Sequence, residues 1–178
     1  MADTAINMQT NDAKAFNTPV LSLTMIAFHR LLVVFAKFTA AETRLEKPGV
    51  DVCSAAFGDD IRHAGAVRDA LIETAYDVIA APASGEEDRG LHRIAGLLVA
   101  LFQKDSSAER GLLHAQTRQH RDVFDIPGTG LLARQARRLQ IAFFHQFDAL
   151  ARMREFGGPG FAAAPDAPMA EVPDLIPA

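Results

Sequence analysis

Six histidines and one cysteine are the side chains here best suited to chemistry, and their spacing limits what they can do. His29, His63, His92, His114, His120 and His145 never recur at i, i+3 or i, i+4, the separations at which one helix presents two ligands to a metal. No Glu-x-x-His occurs, so a di-metal carboxylate site inside a helical bundle lacks its ligand pattern. Cys53 stands alone, which excludes both a Cys-x-x-Cys zinc site and an internal disulfide. Solvated or hydrogen-bonded histidines are the expectation, with no metal and no cofactor.

Nucleotide and acyl-transfer motifs are missing too. Gly85-Glu-Glu-Asp-Arg-Gly90 has the glycine spacing of a phosphate loop, but Leu91-His92 follows where Lys and Ser/Thr are needed, and its three acids would repel phosphate. Pro127-Gly128-Thr129-Gly130 precedes a helix start without a strand before it, so it reads as a helix-to-helix turn. No Gly-x-Ser-x-Gly is present and no residue can be nominated as catalytic. Whether the chain is an enzyme stays open, with the balance against it.

Two short runs have a look of known families. His63-Ala-Gly-Ala-Val67-Arg-Asp-Ala70-Leu71 resembles the distal helix of globins, and His92 follows at about the distal-to-proximal separation of that family. The resemblance implies His92 as axial haem ligand and His63 facing bound gas. It covers nine residues. The stretch around Glu42 holds no haem-stacking Phe at the globin position, and the segment after His92 that should be apolar is polar. His92-Arg-Ile-Ala-Gly96 is similar to histidine phosphotransfer domains, but Ala95 stands where that family carries Lys. Close helix packing at Gly96 is the simpler account.

Arg134, Arg137 and Arg138 fall at i, i+3 and i+4, and residues 104–156 hold nine Lys/Arg against six Asp/Glu. Such a face could meet DNA phosphates. It could equally meet an acidic protein surface or the acidic tail, or simply stay solvated.

The elements positioning these residues read as five helices. Pro19–Ala41 is apolar on nearly every side, broken only by His29, Arg30 and Lys37. Thr18-Pro19 reads as N-cap and first residue of helix 1, which runs to Leu45 before Pro48-Gly49. Its length suits a bilayer, but His29-Arg30 at the midpoint would cost about 2.5–3.5 kcal/mol for the Arg alone, so no membrane span is expected. Helix 2 is placed over Asp59–Ala80, with stripe Ile61, Ala64, Val67, Leu71, Ala75 and Val78. Helices 3 and 4 open on the capping boxes Ser84-x-x-Glu87 and Ser106-x-x-Glu109 and reach Gln103 and Phe124. Helix 5 is placed over Leu131–Phe156, with Thr129 as a candidate N-cap and a stripe at Leu132, Ala136, Leu139, Phe143, Phe147 and Leu150.

The resulting expectation is an all-α, five-helix bundle. Helices 1 and 5 are the longest and central, helices 2 and 3 form a hairpin beside them, and helix 4 is peripheral. Residues 1–17 form a flexible lead, 18–156 the bundle domain, and 157–178 a disordered, Pro/Gly-rich acidic tail. Net charge is −4, which gives no global attraction to nucleic acid. One thiol and a polar N-terminus with no positive leader suit the cytoplasm. Ile26, Val33 and Val34 lie on other faces of helix 1 and need a cover, so a homodimer is expected. Binding to another protein is expected through the apolar face of helix 1 (Phe28, Leu31, Phe35 and Phe38), the Arg134–Arg138 patch and the Pro-rich tail. A DNA-binding regulator using helix 5 and a globin-like haem sensor are the alternatives.

Overall fold

Serine side chains start three of the helices. The structure, a computed structural model, describes residues 21–46 and 54–158. Ser22, Ser54 and Ser106 each accept a hydrogen bond from the backbone amide three residues on, satisfying an orphan donor of the first turn. They open α1 (Leu23–Leu45), α2 (Ala55–Ala80) and α4 (Ser107–Gln119). Two more helices, α3 (Glu86–Phe102) and α5 (Leu131–Leu150), and two 3-10 turns, Arg121–Phe124 and Arg154–Phe156, complete an all-α bundle. No strand occurs among the described residues. The Thr18-Pro19 cap, Cys53 and the tail from residue 159 lie outside them.

Five boundaries differ from expectation. Helix 1 starts at Leu23 and not at Pro19, because Ser22 and not Thr18 is its N-cap. Helix 2 starts at Ala55 and not at Asp59, because Ser54 supplies the cap; at 26 residues it is the longest helix among the described residues. The Ser84 box does not form. Gly85 is the N-cap, and Asp88 takes the role given to Glu87: its Oδ2 accepts from the Ser84 amide at 2.8 Å and its Oδ1 from Ser22 Oγ at 2.6 Å. One buried carboxylate therefore ties together the first turns of α1 and α3. Helix 4 ends at Gln119, with a separate 3-10 turn covering Phe124.

Helix 5 ends at Leu150, not Phe156. Phe156 lies 18 residues after Arg138, five turns at about 3.6 residues each, so a continuous helix would aim it into solvent beside that arginine. The chain turns instead and packs Phe156 against both Phe38 and Phe102, with ring centroids 6.1 and 5.9 Å away; those two rings also meet each other at 5.4 Å, so the three form an edge-on-face triangle. Gly157 then adopts φ +90° and presses on the backbone of Gly111; a Cβ there would meet Gly111 Cα at 2.8 Å. Only glycine fits both the dihedral and the contact.

The core lies between α1 and its neighbours. Phe143 of α5 packs on Phe28 and Phe35 at 6.0 and 5.5 Å. Leu91, Ile94 and Leu98 of α3 and Leu71, Ala75 and Val78 of α2 close the remaining sides. Helix 4 is peripheral as expected; its buried side chains are Arg110 and Thr117.

Candidate functional site

The apolar residues assigned to a partner are core residues. Phe28, Leu31, Phe35 and Phe38 are all at most 1% exposed within the single chain. That corrects their reading as contact residues: the stripe that makes helix 1 so apolar is covered by α2, α3 and α5. What α1 turns outward includes Ile26 (39% exposed) and Val33 (57%), two of the three residues expected off the core stripe, together with Leu23 (62%), interleaved with exposed Arg30 and Lys37; Val34 is half-buried. Beside them His29, Arg30, Val33 and Val34 line one wall of a groove of about 480 Å3, with Thr74 and Asp77 of α2 opposite. Of the described helices, α1 alone has the length and mean hydropathy (1.5) of a bilayer span.

The three arginines of α5 separate. Arg134 and Arg138 are exposed, whereas Arg137 folds back to donate from Nη1 to the carbonyls of Ile126 (3.1 Å) and Gly128 (2.6 Å). It thereby clamps the loop before α5. Ile126 plugs the same loop into the core, against Gly90, where a Cβ would come within 2.8 Å of Ile126 Cγ1. Thr129 provides no cap; Gly130 is the N-cap, and no side chain accepts from the first-turn amides of α5.

The histidines disperse. His63 is exposed on α2, and His92 is half-buried with Nε2 3.3 Å from Thr24 Oγ1. Neither lines any of the grooves described here. Among the described residues no group of three His, Cys, Asp or Glu side chains could hold a metal.

One cluster has no counterpart in the sequence motifs. Asp148 of α5 accepts from His114 Nε2 (3.1 Å) and from both terminal nitrogens of Arg121 (2.8 and 3.2 Å). The His114 ring stacks on Phe147 at 5.1 Å, and the Arg121 guanidinium lies 4.2 Å over Phe144. Burial opposes the charge on Asp148, but the Arg121 and His114 hydrogen bonds outweigh it and hold its pKa below the ordinary carboxylate value. These residues stand 27 and 34 positions apart in sequence, so no local spacing announced them.

Asp148 separates two grooves. A polar one of about 250 Å3 is lined by His114, Arg118 and Arg152. A larger one of about 470 Å3, with an apolar floor, runs along Ile141, Phe144 and His145 to Arg137. A second charged cluster closes the bottom of the bundle. Glu155 accepts from Arg68 and Arg110 at 3.3 and 3.1 Å, beside buried Glu42, whose carboxyl is pushed up to about 6 by burial and by the charge of Glu155.

Comparison with known proteins leaves the reading to these residues: no family model, no curated protein and no solved structure matches the chain.

Proposed function

We propose that the protein acts by association rather than catalysis, and that its first partner is a second copy of itself seated on the outward faces of α1 and α2. The observation that carries this reading is the uncovered apolar row of Leu23, Ile26 and Val33 at the edge of an apolar groove. Charge favours self-association. The exposed cations Arg30 and Lys37 belong to α1, and the exposed anions Glu73 and Asp77 belong to α2. In a two-fold pairing each patch meets its complement, since residue i touches j while j touches i. Tyr76 (50% exposed) and Ile79 (38%) extend the apolar surface on α2 and suit a further protein partner.

Light scattering of the full chain over a concentration series tests the proposal. The expected result is a dimer that Ile26→Glu/Val33→Glu converts to a folded monomer. A wild-type chain monomeric at every concentration overturns it. The DNA alternative rests on Arg134 and Arg138, with Arg137 engaged elsewhere; binding to duplex DNA that falls steeply with salt would favour it over the dimer reading.

A further inference from the structure

The groove along α5 combines an apolar floor with one guanidinium, that of Arg137, which forms no ion pair among the described residues. Its floor is Phe144, buried, and Ile141, which at 69% is the most exposed large apolar side chain among the described residues. Its volume, about 470 Å3, is in the range of small-molecule sites. Arg121 and Asp148 at one end neutralise each other. Arg137 at the other end is different. It is fixed by two backbone carbonyls, both bonded through Nη1, so its full charge remains and its other nitrogens have no protein acceptor among the described residues. Arg134 and Arg138 precede Ile141 by seven and three positions on the same outward side of α5, and none of the three arginines forms an ion pair among the described residues. Within the groove lining, Asp125, on the exposed loop, faces Arg137 once Arg121 and Asp148 have cancelled. Arg134 and Arg138 lie outside the lining, on the adjoining exposed surface of α5, and tip the local balance positive.

The geometry points to a binding site for a small organic anion with an apolar body: its carboxylate lies on Arg137 and its body over Ile141 and Phe144. The carbonyl clamp holds the guanidinium in place before the ligand arrives, so little side-chain freedom is lost on binding. A carboxylate can take two parallel N–H bonds from one guanidinium, which makes the site selective for charge and planarity.

The test uses 2-naphthoate as the probe, titrated into the full chain at low salt and followed by heteronuclear NMR. Saturable binding is expected, with shifts centred on Ile141 and Phe144. The neutral 2-naphthamide should bind at least about tenfold more weakly. Ile141→Glu changes an exposed residue, so the fold stands, and its new carboxylate should weaken 2-naphthoate binding by about tenfold or more. Val33→Glu, on the proposed dimer face, should leave it unchanged. Three results would each overturn the proposal: no saturation, equal or tighter binding of the amide or of 2-naphthylmethylamine, or an affinity indifferent to Ile141→Glu.

Discussion

Glu42 should make the bundle less stable as pH rises through the acid range, and Glu42→Gln should remove that dependence. The carboxyl sits on the inner side of α1 at 9% exposure. Burial is the largest influence raising its pKa; the charges of Glu155 and then Glu46 add to it, while Arg68 and Arg110 oppose them. The folded value is about 6 against 4.5 for the free group. The folded chain therefore holds the Glu42 proton where the unfolded chain has lost it, so stability falls as pH rises between those values. At about 1.4 kcal/mol per pH unit, the interval sets a ceiling of about 2 kcal/mol, and relaxation around the site brings the expected loss to about 1–2 kcal/mol. Other carboxylates titrate in the same range. The quantity to measure is thus the difference between Glu42→Gln and wild type in urea unfolding, at pH values from 4.5 to about 7.5. That difference should shift in favour of the Gln variant by about 1–2 kcal/mol across the series. A flat difference, or one drifting toward wild type, would refute the idea that burial and Glu155 crowd this carboxyl.

Phe156→Ala removes one ring of the Phe38–Phe102–Phe156 cluster and should cost about 3–5 kcal/mol in thermal or urea unfolding; a loss below about 1 kcal/mol would show that the turn after α5 does not seal the core. Asp88→Ala deletes the acceptor shared by Ser22 and the Ser84 amide and should cost about 2–3 kcal/mol, with Ser22→Ala on that background adding only the loss of the α1 cap, about 1 kcal/mol, and so less than it costs in the wild type. Leu31→Asp should abolish the folded circular dichroism signal, whereas Val33→Asp, two residues on but 57% exposed within the single chain, should keep that signal even where it weakens the dimer. Protein purified with haem supplied should show no Soret absorbance; a stable band that His92→Ala removes would favour the haem alternative.

Much of the bundle was legible because its stripes follow the helical period. Leu91, Ile94, Leu98 and Leu101 of α3, and Ala136, Leu139, Phe143, Phe147 and Leu150 of α5, are the expected core residues and are buried. Periodicity failed where a long-range contact outranked it. Ile61 fits the α2 stripe yet is 51% exposed, because it lies in the first two turns of the helix, past the reach of the core. Phe144 lies off the α5 stripe but is buried under Arg121, a residue no window around it contains. The Ser84 box lost to Asp88 because Ser22, 66 positions earlier, offered that carboxylate a second donor. The candidate groove was half visible. The arginine triplet marked the right helix, but spacing alone assigned all three to one outward face and could not show Arg137 folding back on the Ile126 and Gly128 carbonyls. The Arg121–Asp148–His114 cluster depends wholly on how the 3-10 turn brings α4 back against α5.

The account depends on α1 being locked by its inner face whatever meets its outer one. Amide hydrogen exchange across Phe28–Phe38, measured in the monomeric Ile26→Glu/Val33→Glu chain, tests this without help from a partner. Exchange as slow as that of the α5 amides around Phe143 is the predicted result. Exchange on the timescale of a frayed helix, while α5 stays protected, would contradict it and show that α1 needs another molecule to be held at all.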